Sequence, residues 1–219
     1  DTTIRSPDAT CVALPTNQPI APGRNQGDLM RHENQEQPFH PIYRYALVTD
    51  AREGLILTDV DTLADGEPRN NFLKRALTWN QSDVLDGARH LTIAGHVVLD
   101  LDEPLKPRLL AVVPIDDVRA TALQFRYLFV AARGGLQVID VTHPERPRPV
   151  PGALAAIADP HRVYVARGFA YVAGGAEGLV IVDVERPESP RIYQRFTADG
   201  RLGDVRDVVV AMTNASVFA

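Results

Sequence analysis

A single cysteine, Cys11, stands in a chain of 219 residues. That excludes an intrachain disulfide framework, a CxxC motif and the CxxCH motif of covalent haem attachment, and it leaves the redox compartment unreadable. A basic excess is lacking too: 23 Lys and Arg face 28 Asp and Glu, a formal charge of −5. The chain therefore carries no electrostatic footprint for nucleic acid or for an anionic membrane surface. No apolar run approaches the ~20 residues of a membrane-spanning helix. The chain begins at Asp1 without a signal-like segment, as a processed or trimmed product would. G-x-S-x-G, the P-loop and G-x-G-x-x-G are all missing, which leaves nucleophilic hydrolysis and nucleotide binding without positive support. The six histidines form neither HxxxH nor HExxH, and no D-x-D-x-D-G loop occurs, so neither zinc nor calcium has a sequence signature.

What is present is β-like. The length suits one all-β domain, since sandwiches and barrels run to roughly 200–250 residues. Residues 1–42 differ from the rest: "TNQPIAPGRNQGD" and "RHENQEQPFHP" are rich in Pro, Asn, Gln and Gly and show little periodicity. They read as an irregular arm or linker, or as an arm laid across a larger body. The region 43–219 reads as the folded part.

Within it one pattern recurs. "GGLQVIDVTHPERPR" (134–148) and "EGLVIVDVERPESPR" (177–191) align without a gap, and "VVLDLDEPLKPR" (97–108) matches their second part. Each has an Asp closing an apolar run, a Pro four residues later, another Pro three further on, and then Arg. A looser copy, "EGLILTDVDTLADGEPR", starts at Glu53. The recurring acids Asp59, Asp100, Asp140 and Asp183 stand 41, 40 and 43 residues apart. A period of about 42 residues with several short strands per unit predicts a β-propeller of four-stranded antiparallel blades. "RVYVAR", "FAYVAG", "GLVIVDV" and "RIYQRF" supply four such strands between Arg162 and Phe196. The "GG" or "EG" ahead of each third strand suits a hairpin needing positive φ. The paired prolines belong in the connection to the outer strand, as fold punctuation rather than as an SH3-type ligand.

The run "LVIVD" at Leu179–Asp183, with its flanking "ERPESPR", resembles the LVIVD repeat, a family of bacterial and archaeal extracytoplasmic β-propellers. The resemblance extends over 43–219. "LTWNQSDVLDGARHLTIAG", "ATALQFRYLFV" and "RDVVVAMTNASVFA" are also similar to one bacterial subgroup, whose members are often encoded or fused with multihaem c-type cytochromes. The resemblance implies a periplasmic or extracellular location and an extracytoplasmic protein partner, such as a multihaem cytochrome. Any haem would sit in that partner or outside this chain. No agreed activity comes with the family.

A second marker recurs: Arg89, Arg119, Arg162 and Arg206 open the first strand of successive units. Arg119 and Arg162 stand 21 residues before Asp140 and Asp183, but Arg89 stands only 11 before Asp100. The second unit is thus short by the length of one strand and its hairpin, at the junction of His96 and Val97. Losing a strand from mid-blade would expose two rows of unpaired backbone groups. The spacing therefore predicts that residues belong between His96 and Val97 and that the two are not direct neighbours. Natural loss of the strand is the alternative. The end of the chain supplies only the start of a fifth unit, which leaves the ring incomplete.

In a propeller the first strands line the central channel, so the four arginines would recur at one height around its mouth. They could grip a carboxylate, a phosphate or an acidic loop. Alternatively each pairs with a blade-junction acid such as Asp117, Asp159 or Asp204. His90 and His161, beside Arg89 and Arg162, are the nearest titratable groups to that mouth. Asp59, Asp100, Asp140 and Asp183 read as structural turn caps accepting backbone N–H bonds. His32 and His40 would be distal haem ligands if the arm packed on a cytochrome, and solvated loop residues otherwise. Trp79 and the Tyr and Phe residues of the second strands fill cores between blades. The expectation is a non-catalytic binding platform with no cofactor or metal of its own. The rival is an enzyme with an anionic-substrate site in the channel.

Overall fold

Strands account for nearly all the regular structure in the computed structural model, which describes residues 3–14, 45–60, 72–91, 99–101, 103–210 and 217–218. His32, His40 and the His96–Val97 junction lie outside these. Among the described residues the one helical element is a 3-10 turn, Gln81–Asp83, and no helix is long and apolar enough to cross a membrane. The chain divides into two compact units, Asp1–Gly95 with Leu101–Pro107, and His96–Asp100 with Arg108–Ala219.

The first unit holds one antiparallel sheet of β1 (Ala9–Ala13), β2 (Tyr45–Asp50), β3 (Gly54–Asp59) and β4 (Lys74–Trp79), in that order. β1 comes from the segment that composition sets apart as an arm. Its five residues between Pro7 and Pro15 are too short for a period of two to stand out. Pairing makes it a strand: Cys11 to Ala13 register against Thr49 to Leu47, and Thr10 Oγ1 lies 2.9 Å from Thr49 Oγ1.

The second unit holds two complete four-stranded sheets. β7 (Ala120–Gln124), β8 (Tyr127–Ala132), β9 (Gly135–Asp140) and β10 (Arg148–Ala156) form one; β11 (Arg162–Ala166), β12 (Phe169–Ala173), β13 (Leu179–Asp183) and β14 (Arg191–Phe196) form the other. Two shorter pairs, β5 (Leu99–Asp100) with β6 (Arg108–Leu109) and β15 (Val209–Val210) with β16 (Val217–Phe218), are antiparallel as well. These are sheets of the propeller-blade type, all-β as the 42-residue period predicts.

Central strands are apolar on both faces because both faces are covered. Along β8, Tyr127, Phe129 and Ala131 join a core that includes Val163, Val172 and Val182 of the neighbouring sheet. The alternate residues Leu128, Val130 and Ala132 face a second cluster with Ile139 and Val141. A strand's side chains alternate between faces, so one six-residue run glues two layers. Phe129 is fully buried; truncating such a side chain to Ala costs about 3–5 kcal/mol.

The glycine before each third strand serves a tighter purpose than the hairpin alone. Gly178 sits at φ +73, and a Cβ there would lie 2.3 Å from the carbonyl oxygen of Phe196 on β14; at Gly135 (φ +144) the same atom would meet Ala155 O at 2.1 Å. Only glycine lets the outer strand approach this closely. The proline turns repeat as closely. Lys106 N donates to Glu103 O at 2.7 Å, Arg146 N to His143 O at 2.8 Å and Ser189 N to Arg186 O at 2.9 Å. In each the proline occupies the second turn position, where its fixed φ is preorganised.

Candidate functional site

In the second unit β7 packs beside β11, and β11 beside β15, so the starts of three first strands lie in succession. Arg119, Arg162 and Arg206 are placed there, and each guanidinium already holds a carboxylate. Arg119 donates to Asp117 through Nη2 (2.9 Å) and Nε (3.2 Å), to Asp159 through Nη1, and to Pro160 O at 3.3 Å. Arg162 Nε donates to Asp207 at 3.0 Å, and Arg206 Nε lies 2.6 Å from Asp204. Asp159 and Asp207 follow their partners by 40 and 45 residues, one repeat further on, so these two pairs tie one sheet to the next. Both carboxylates, Asp159 foremost, push the Arg119 pKa up. In return Arg119, and after it His161, hold the Asp159 carboxyl below the usual carboxylate range.

His161 extends this chain. Its Nε2 lies 2.8 Å from Asp159 Oδ2 and also 2.8 Å from Arg206 Nη1. Its backbone N–H donates to Ala173 O at 2.8 Å, fixing where the ring starts. Gly175, at φ +58, lies close against Asp159: a Cβ there would be 3.0 Å from Asp159 Oδ2. Gly175 also exchanges two 3.0 Å backbone hydrogen bonds with Val205.

Arg89 and His90 belong to the first unit, where Arg89 is exposed and His90 half-buried. The four recurring acids stand opposite a cation on the outer strand: Asp59 registers with Lys74, Asp100 with Arg108, Asp140 with Arg148 and Asp183 with Arg191. Two of them accept from the backbone two residues on, Asp140 from Thr142 N at 2.8 Å and Asp183 from Glu185 N at 3.0 Å. Asp100 takes an ion pair from Arg108. Hydrogen bonds from the Thr142 hydroxyl and N–H hold the Asp140 carboxyl below its ordinary range. Among the described residues no group of three or more His, Cys, Asp or Glu is placed to hold a metal ion.

Three features were not visible in the motif pattern. Asp50, fully buried at the end of β2, accepts from Ser6 Oγ and from the backbone of Asp8 (2.9 Å), Arg52 (2.8 Å) and Glu53 (2.9 Å). Burial alone would raise its pKa; these donors overcome that and leave it far below the carboxylate range. The signal was the "D-x-x-x-G" of the β2–β3 hairpin. A second contact links Tyr127, whose hydroxyl donates to Glu188 in the proline turn of the neighbouring sheet and accepts from Arg126 Nη2 at 2.9 Å. The third is Phe125. It occupies the turn between β7 and β8 with a left-handed φ of +54, and it is 92% exposed. The corresponding turn between β11 and β12 carries Arg167 and Gly168.

Residues 118–148 and 159–198 each match the family model of the LVIVD repeat. The second matched segment contains β11 to β14 entire, one four-stranded sheet with Asp159 at its leading edge. The first spans β7 to β9 and stops at the first residue of β10. Both begin one to three residues ahead of the marker arginine, so the Arg119–Asp159 contact joins one matched segment to the next. No curated protein and no solved structure matches the chain.

Proposed function

We propose that this protein is a non-catalytic, LVIVD-repeat β-propeller domain that binds another protein through the end of the blades carrying the Phe125 turn. Phe125 is the observation that carries the reading. A bulky L-residue in the left-handed region costs about 1–2 kcal/mol relative to the right-handed one, and a large aromatic left in water gains nothing from burial. Arg167 adopts the same left-handed φ in the corresponding turn of the next sheet, so the angle belongs to the hairpin, and the exposed aromatic at its tip is what sets this turn apart. Aromatic anchors flanked by arginine are the side chains that dominate protein interfaces, and Arg126, exposed beside Phe125, supplies the cation. An anionic substrate in the channel is less well supported, because it would have to displace Asp117 and Asp159 from Arg119.

The family resemblance narrows the partner to an extracytoplasmic protein, with a multihaem c-type cytochrome the first to test, in a periplasmic or extracellular setting. The test is co-elution on size-exclusion chromatography with envelope extract from the native source, followed by haem absorbance, for wild type and Phe125→Gly. Glycine removes the aromatic and relieves the backbone, so the variant should be as stable as wild type or up to about 1 kcal/mol more stable, yet lose the partner. Equal co-elution of partner with both proteins would overturn the reading of this end as the binding face. A partner retained without haem would keep the face and remove the cytochrome.

A further inference from the structure

One ring nitrogen of His161 faces two partners. Nε2 lies 2.8 Å from the Asp159 carboxylate and 2.8 Å from the Arg206 guanidinium. A single nitrogen cannot serve both. Carrying a proton, it donates to Asp159 and presents N–H to the N–H of Arg206. In the neutral tautomer with its proton on Nδ1, Nε2 is bare: it accepts from Arg206 and turns a lone pair toward a carboxylate. We propose that His161 is a proton-operated selector at the junction of the β11 sheet with the segment leading into β15, holding Arg206 only while Nε2 is unprotonated and releasing it when the ring becomes an imidazolium.

The surrounding charges bias the choice. From its own loop Asp159 faces the ring; from the β7 side Arg119 grips the other oxygen of Asp159, with Asp117 behind it. From the β15 side come Arg206 and the acid that holds its Nε, Asp204, at 2.6 Å. An imidazolium would be attracted by Asp159 and repelled by Arg206, whose side chain is 61% exposed and free to swing into solvent while keeping Asp204. Arg162, one residue from His161, is bound to Asp207 and takes no part. The ring is itself only 17% exposed, so it stays between its partners as they change. Protonation therefore adds one positive charge to this face and turns the Nη1 edge of Arg206 outward.

The decisive variant is His161→Gln. A glutamine amide separates the two functions, its N–H₂ donating to Asp159 while its oxygen accepts from Arg206, and it does not titrate between pH 5 and 8. The experiment is a pH titration of the ¹⁵N-labelled protein by NMR, from about pH 8 to about pH 5, following the His161 ring and the Arg206 and Arg162 side-chain signals. In wild type the Arg206 signals should shift with the same midpoint as the His161 ring, while those of Arg162 stay flat. In His161→Gln the Arg206 signals should lose that transition. Arg206 signals that ignore the His161 titration, or that keep the same transition in the glutamine variant, would overturn the proposal. No partner is needed, so this outcome is separate from the fate of the binding face.

Discussion

Replacing Asp159 by Asn removes one charge and little volume from the link between the two matched repeats. Arg119 keeps Asp117, so the loss is one charge-assisted contact from Nη1 and the carboxylate side of His161. Hydrogen bonds to charged groups contribute about 1.5–3 kcal/mol where solvent is excluded. Here Asp159 is 44% and Arg119 23% exposed, and screening brings the figure down toward the upper end of exposed pairs, about 1 kcal/mol. For a chain of 219 residues that corresponds to a fall of roughly 2–4 °C in Tm. The pH dependence has a definite sign. Arg119 and His161 lower the folded-state pKa of Asp159, so its contribution is complete above the unfolded value of about 3.9 and is lost as pH falls through the lower folded value. Urea unfolding of wild type and Asp159→Asn should therefore show a gap at pH 7 that narrows as the pH falls below about 4. A gap under about 0.3 kcal/mol at pH 7, or one undiminished at pH 3, would refute the ion-pair account of this junction.

Asp50→Ala should be more damaging, about 3 kcal/mol or more by chemical denaturation, because it leaves several donors facing a buried void. Its lowered pKa makes that penalty, too, full at neutral pH and smaller in strong acid. Gly178→Ala should cost several kcal/mol, since the new methyl group meets Phe196 O at 2.3 Å in a left-handed turn; a loss below about 1 kcal/mol would mean that β14 can shift aside. Thr58 is 4% exposed, and its hydroxyl has no hydrogen-bond partner among the described residues. Thr58→Val should then raise the free energy of unfolding by up to about 1 kcal/mol, whereas a loss of that size would reveal a hidden partner.

The repeat made the blades legible. Strand limits in "RVYVAR", "FAYVAG", "LVIVD" and "RIYQRF", the proline turns and the glycine hairpins follow from periodicity and turn chemistry alone, and the structure places each where that chemistry expects it. β1 escaped because its identity as a strand lies in pairing with β2, which composition does not record. The marker arginines were legible as a recurring set, but their partners were readable only in part. Asp117 and Asp204 sit two residues from Arg119 and Arg206, within local reach. Asp207 acts on Arg162 across 45 residues, and only the packing of one sheet on the next reveals it. Phe125 escaped for a different reason: in sequence it is one more aromatic beside a strand, and only the fold shows that it stands in water at a hairpin tip.

The most direct measurement of the binding-platform claim places a photo-reactive benzoylphenylalanine at position 125 and, in a second protein, at Tyr193, which is also exposed at 67% but lies on β14. After irradiation in envelope extract, adducts are identified by mass spectrometry. The account predicts a defined protein adduct from position 125 and none of that identity from position 193. Absence of an adduct at 125, or the same adduct from both positions, would contradict it.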